Sequence, residues 1–185
     1  IARAEQTVSG EKSLVLKILP PDPPGKSGYF NDTHAAPIST SLLENYAYLA
    51  GASLDRLFSK NGKESLARMI GQYGDWDGKI TPDLSEKIVR SFLPRVFRRN
   101  VSEERIKAVL DQLKGKEGNA LVSALKFELK AFLISPEFLY RGFLAKPDGK
   151  TGRQPVDPFE LAERLSYFIW EDMPDEELLE VARKG

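Results

Sequence analysis

His34, in Asp32-Thr-His34-Ala, is the single imidazole in 185 residues. A lone loop histidine offers two chemistries: an axial ligand to a haem held elsewhere, or a proton carrier near neutral pH. A hydrogen-bonding surface role is the plainer reading. Asp75-Trp-Asp77-Gly78-Lys-Ile80 matches the middle of a calcium loop, with acidic ligands ahead of a turn glycine and an apolar residue. Tyr73 stands where the first ligand belongs and Leu84 where a closing Glu belongs, so a tight turn between helices is preferred. Arg95, Arg98, Arg99 and Arg105 form the densest basic cluster, whose planar donors could bind phosphate, an anionic glycan or haem propionates. Pairing with Glu103, Glu104 and the acids of the last helix is the favoured alternative. Tyr167, Phe168 and Trp170 beside Asp172 have the composition of a sugar-stacking platform. At helical spacing, however, Phe168 and Ile169 extend a buried stripe, and Trp170 plugs the junction of the last two helices. Glu171 and Asp172 are adjacent and point apart, which makes them a poor glycosidase pair.

Other chemistry is excluded outright. With no cysteine there is no disulfide, thiolate metal site, cysteine nucleophile or covalent attachment of c-type haem. One histidine removes every two-histidine metal motif. No catalytic constellation emerges, so the sequence names no reaction. Lys plus Arg equals Asp plus Glu at 27 each, which argues against a general polyanion binder, and no nucleic-acid partner is expected. The 41% apolar and 29% charged content is that of a folded globular protein with one good core, or two small ones in contact. No apolar run approaches the roughly 18–20 residues of a membrane span.

Residues of this kind need helices to position them. Up to residue 38 the pattern is irregular: Ser13 to Leu19 is a short apolar run ended by Pro20-Pro21-Asp22-Pro23-Pro24-Gly25, and a long Gly- and Pro-rich loop follows. From Thr40 the periodicity is helical. Ser41 with Glu44 predicts a capping box, and Lys60-Asn-Gly62 a stop. Thr81-Pro82 starts the next helix, which Pro94 should break or kink. Ser102 caps another, with Val101 and Ile106 as a hydrophobic staple, and Asn119–Ile134 is a longer helix. Asp157-Pro158 with Glu160 spells a capping box, with Val156 and Leu161 as its staple and Leu165 in the buried stripe. The final helix opens at Pro174 with acids and closes with Arg183-Lys184-Gly185, matching the helix dipole. The expected fold is all-α: a multi-helix orthogonal bundle with an irregular N-terminal arm and long loops. Residues 1–38 form the arm, and residues 39–185 the helical domain, divisible into 39–80 and 81–185.

Three blocks carry a family resemblance. Phe92-Leu-Pro-Arg-Val-Phe-Arg-Arg-Asn-Val-Ser-Glu-Glu104 is similar to an FLPRAFRRPVTEEE block, and the stretch from Ala124 to Arg141 to an ALQAVLVSPHFLYR block. Leu161 to Leu179 is similar to LASRLSYFLWGSMPDEELL, and Phe30 to Tyr46 more weakly to a segment upstream. Together these resemble domains of unknown function in large planctomycete and related bacterial proteins. Asn100 replaces the usual Pro, and Glu137 stands where His is common, so any role of that His does not carry over. The resemblance implies a periplasmic or otherwise exported polypeptide, often with a planctomycete-type cytochrome c domain, of which this chain would be an internal piece.

The expected function is therefore a helical structural or interaction module that positions a redox domain or a partner subunit. Its partners would be other domains or subunits of a larger protein, a cytochrome c among them. No cofactor is expected in the chain itself, with c-type haem on a neighbouring domain or subunit. The rival readings are part of a haem-dependent oxidoreductase, or a carbohydrate-binding or carbohydrate-processing protein.

Overall fold

The computed structural model describes residue 19 and residues 39–71, 77–140 and 156–185. The expectations for the N-terminal arm, for His34 and for Asp75 therefore lie outside the described residues, Leu19 apart. The all-α expectation holds. Helices α1 (Thr40–Leu57), α2 (Lys63–Met69), α3 (Pro82–Phe97), α4 (Glu103–Leu113), α5 (Gly118–Leu133), α6 (Pro136–Leu139), α7 (Pro158–Trp170) and α8 (Glu176–Lys184) follow one another, with a 3-10 turn at Lys60–Gly62. No described residue is in a strand.

Local chemistry sets the helix starts. Thr81, Ser102, Asp157 and Asp175 each sit at an N-cap and accept a backbone N–H of the first turn. Asp175 is thus the cap of α8 rather than part of its first turn. The cap of α1 is Ser39, whose hydroxyl accepts from the Leu42 amide at 3.1 Å, and not Ser41. Ser39 has the extended backbone of a cap; Ser41 lies two residues inside the helix. Glu160 does not close a capping box either, because its carboxylate pairs with Arg164 one turn on.

Helix α5 is the centre of the body, in contact with α1, α3 and α4. Leu121, Leu125 and Leu129 line its buried face and meet Ile88, Val89 and Leu93 of α3, Ile106, Val109 and Leu113 of α4, and Leu54 of α1. Each fully buried aliphatic side chain of this set contributes about 1.5–3 kcal/mol of transfer free energy. Leu66 brings α2 into the same cluster, and Ser91 of α3 donates its hydroxyl to the Met69 carbonyl at 2.6 Å. Gly62 is needed at the turn between α1 and α2 because a Cβ there would lie 2.2 Å from the Leu57 carbonyl oxygen.

Pro94 does not break α3. The helix continues to Phe97, and Leu93, Val96 and Phe97 around the proline are all buried. Their burial offsets the roughly 3 kcal/mol that an interior proline costs. The helix ends at Arg98, a non-glycine residue in the left-handed region at φ 55°, and the Arg99 amide donates back to the Pro94 carbonyl at 3.2 Å.

The α7–α8 hairpin corrects the sequence reading most. Phe168 is 87% exposed, Ile169 60%, Leu161 56% and Leu165 42%. Trp170 and Val156 are exposed as well, so the expected stripe, staple and plug lie on the outer side. Glu160, Ala162, Glu163 and Ser166 form the buried face instead. Helical spacing groups the apolar residues correctly on one face, but a charge on the body decides which face turns inward.

Candidate functional site

The charge in question is Arg98. The left-handed turn after α3 drives its side chain into the protein, where the guanidinium is 4% exposed. Its terminal nitrogens donate to the carbonyls of Glu137 (3.0 Å), Phe138 (3.3 Å) and Tyr140 (3.4 Å) around α6. Its Nε lies 3.0 Å from the equally buried Glu163 carboxylate of α7. That N–H is not aimed at the oxygen, so the contact is coulombic rather than a hydrogen bond. In a low-dielectric interior the opposite charges compensate one another, and separating them would leave either one stranded.

Around this pair a second cation is placed with equal specificity. Arg105 of α4 lies over the Phe97 ring, 4.1 Å from its centroid, and grips the Glu137 carboxylate with both terminal nitrogens, at 3.3 and 2.5 Å. Phe97 meets Phe132 edge-on, with centroids 5.5 Å apart. The ends of α3, α5 and α6 and the inner face of α7 thus converge on two arginines and two glutamates.

The other arginines of the cluster are placed differently. Arg95, half in solvent, has its Nε 3.7 Å from Glu176 of α8, which is the last-helix pairing anticipated from the sequence. Arg99 is half-buried, and its Nε is shut off from solvent without a hydrogen bond. Glu103 pairs with Arg90 through both oxygens, at 2.9 and 3.0 Å, rather than with the cluster. Glu103 and Glu86, in that order, hold the Arg90 guanidinium more firmly protonated than usual. Glu104 folds back on its own amide and on Ser102, which holds its carboxyl below the usual range.

Asp77 is exposed and accepts the Lys79 amide at 2.8 Å, the main cause of its lowered pKa, with the Lys79 ammonium 3.4 Å away. Among the described residues no group of three or more His, Asp or Glu side chains converges as metal ligands would. No described helix is long and apolar enough to cross a membrane. The residues that periodicity missed are the buried Glu163 and the half-buried Glu137. The sequence held no signal for either: Glu160, Glu163 and Ser166 share the polar face of α7, which periodicity alone reads as the solvent side.

No curated protein and no solved structure matches the chain. Two family models do, both of proteins of unknown function. The Arg98–Glu163 and Arg95–Glu176 ion pairs each link one matched region to the other, as does the Arg183–Asn100 hydrogen bond at 3.1 Å. Residues 85–142 are similar to the family PSD5 (DUF1595), and residues 156–185 to the family PSD4 (DUF1592).

Proposed function

We propose that this chain is a non-catalytic helical module of a larger exported, cytochrome-c-associated protein, which holds a redox domain or partner subunit against the outer face of α7. The observation that carries this reading is the exposed stripe of Leu161, Leu165, Phe168 and Ile169. An apolar stripe of this size, outward on a helix whose inner face is fixed by a buried ion pair, marks an interaction surface. The junction of the buried Arg98–Glu163 pair with the half-buried Arg105 and Glu137 supports the same reading, because it holds the inner face of α7 and engages donors of both arginines that an anionic ligand would need. The cytochrome c and the export come from the resemblance of the three sequence blocks, and the two family matches agree with that resemblance.

The test is a photo-crosslinking amino acid at position 168 in the protein as its source cell makes it. The cross-linked peptide, identified by mass spectrometry, is expected on a domain or subunit that retains haem after denaturation. A cross-link to a haem-free segment would leave the docking role and remove the cytochrome. Absence of any specific cross-link at this position would overturn the reading.

A further inference from the structure

Helix α7 is inverted relative to an ordinary surface helix. Its inner face carries Glu160, Glu163 and Ser166, all buried, and its outer face carries Leu161, Leu165, Phe168 and Ile169. These four recur at i, i+4, i+7 and i+8, so they form one ridge. The ridge spans two turns, about 12 Å, long enough to receive the apolar face of another helix.

The charge around the ridge chooses the kind of helix. The chain as a whole is neutral, yet residues 156–185 carry nine Asp and Glu against three Lys and Arg, and with Glu163 and Glu176 paired to Arg98 and Arg95 of the body the hairpin keeps a net of minus four. Glu171 closes the ridge at the end of α7, and Glu176, Glu177 and Glu180 are exposed on the helix packed beside it. A second copy of the hairpin would bring acid against acid, which disfavours self-pairing. We infer that the ridge receives an amphipathic helix whose apolar stripe is flanked by Lys and Arg. This inference rests on the docking role proposed above and specifies the chemistry of the partner.

The experiment compares two synthetic helical peptides with the same leucine pattern, one flanked by Lys and one by Glu, titrated into the 185-residue chain at low and high salt. The Lys peptide is expected to bind, and to weaken at least tenfold at high salt. The double variant Phe168→Ser with Ile169→Ser should abolish binding while keeping the helical circular dichroism. Glu171→Lys with Glu177→Lys should remove most of the preference for the Lys peptide. Equal binding of both peptides would overturn the basic partner and leave the docking role intact. Lys-peptide binding that survives Phe168→Ser with Ile169→Ser would show adhesion elsewhere on the acidic surface and overturn the site. Self-association of the chain that Phe168→Ser abolishes would make a second copy the occupant and overturn the inference. If neither peptide binds, the inference falls; the cross-link at position 168 then decides separately whether the docking role falls with it.

Discussion

Arg98 ties α6 and α7 to the end of α3. It spends four contacts on three carbonyls and a carboxylate, and it sits in a backbone conformation that costs a non-glycine residue about 1–2 kcal/mol. Arg98→Ala removes the partner of a buried carboxylate and should destabilise the protein by about 3–5 kcal/mol in urea melts. A loss below about 1 kcal/mol would mean that Glu163 is not buried against it. Glu180 makes a different test at the same scale. A hydrogen bond from Arg183 holds its carboxyl below the ordinary value of 4.5, so the folded state takes up its proton less readily than the unfolded chain does. The stabilisation is therefore complete above that ordinary value and is lost as pH falls through the lower, folded-state pKa. Glu180→Gln should lower the Tm near neutral pH and lower it less at about pH 3. The same Tm deficit at both pH values would show that the carboxylate charge plays no part.

The helices themselves were largely legible in the sequence, because their signals are local. Thr81-Pro82, Ser102 and Asp157-Pro158 start their helices where cap chemistry predicts, and α5 falls within a residue of the span expected for the longer helix. Two kinds of information were not local. One was whether burial of Leu93, Val96 and Phe97 would carry α3 through Pro94. The other was which side of α7 would face the body, since periodicity marks an apolar face without saying what covers it. Glu163 decided the second, and it did so through a residue 65 positions earlier in the chain. The contrast between α5 and α7 is measurable. Leu129→Ala, at a fully buried position, should cost about 2–5 kcal/mol. Phe168→Ser, in the outer face, should stay within about 0.5 kcal/mol. A comparable cost for both in urea melts would put Phe168 in the core and reverse the orientation of α7.

At the scale of the molecule, two kinds of cement join the two matched regions to their surroundings. Residues 85–142 share the main apolar core with α1 and α2. The buried apolar residues of the hairpin, Ala162, Leu179 and Ala182, stand apart from that core, and the hairpin meets the body through Arg98–Glu163, Arg95–Glu176 and Asn100–Arg183. An ion-pair seam of this kind fixes orientation more than it adds stability. It suits the proposed docking role, in which the apolar ridge of the hairpin would face a neighbour at a set angle. The candidate chemistry was less legible than the fold: the arginine cluster was visible as a charge density, but its partners come from α6, α7 and α8, which only the tertiary structure brings together. His34 and Asp75 lie outside the described residues, and Asp77 is engaged by Lys79. The central claim is that the outer face of α7 is covered in the native protein. Hydroxyl-radical footprinting of Leu161, Leu165, Phe168 and Ile169 tests it directly, comparing the 185-residue chain alone with the protein isolated intact from its source. Strong modification of the chain alone and protection in the native material is the predicted result. Equal modification in both would contradict the account.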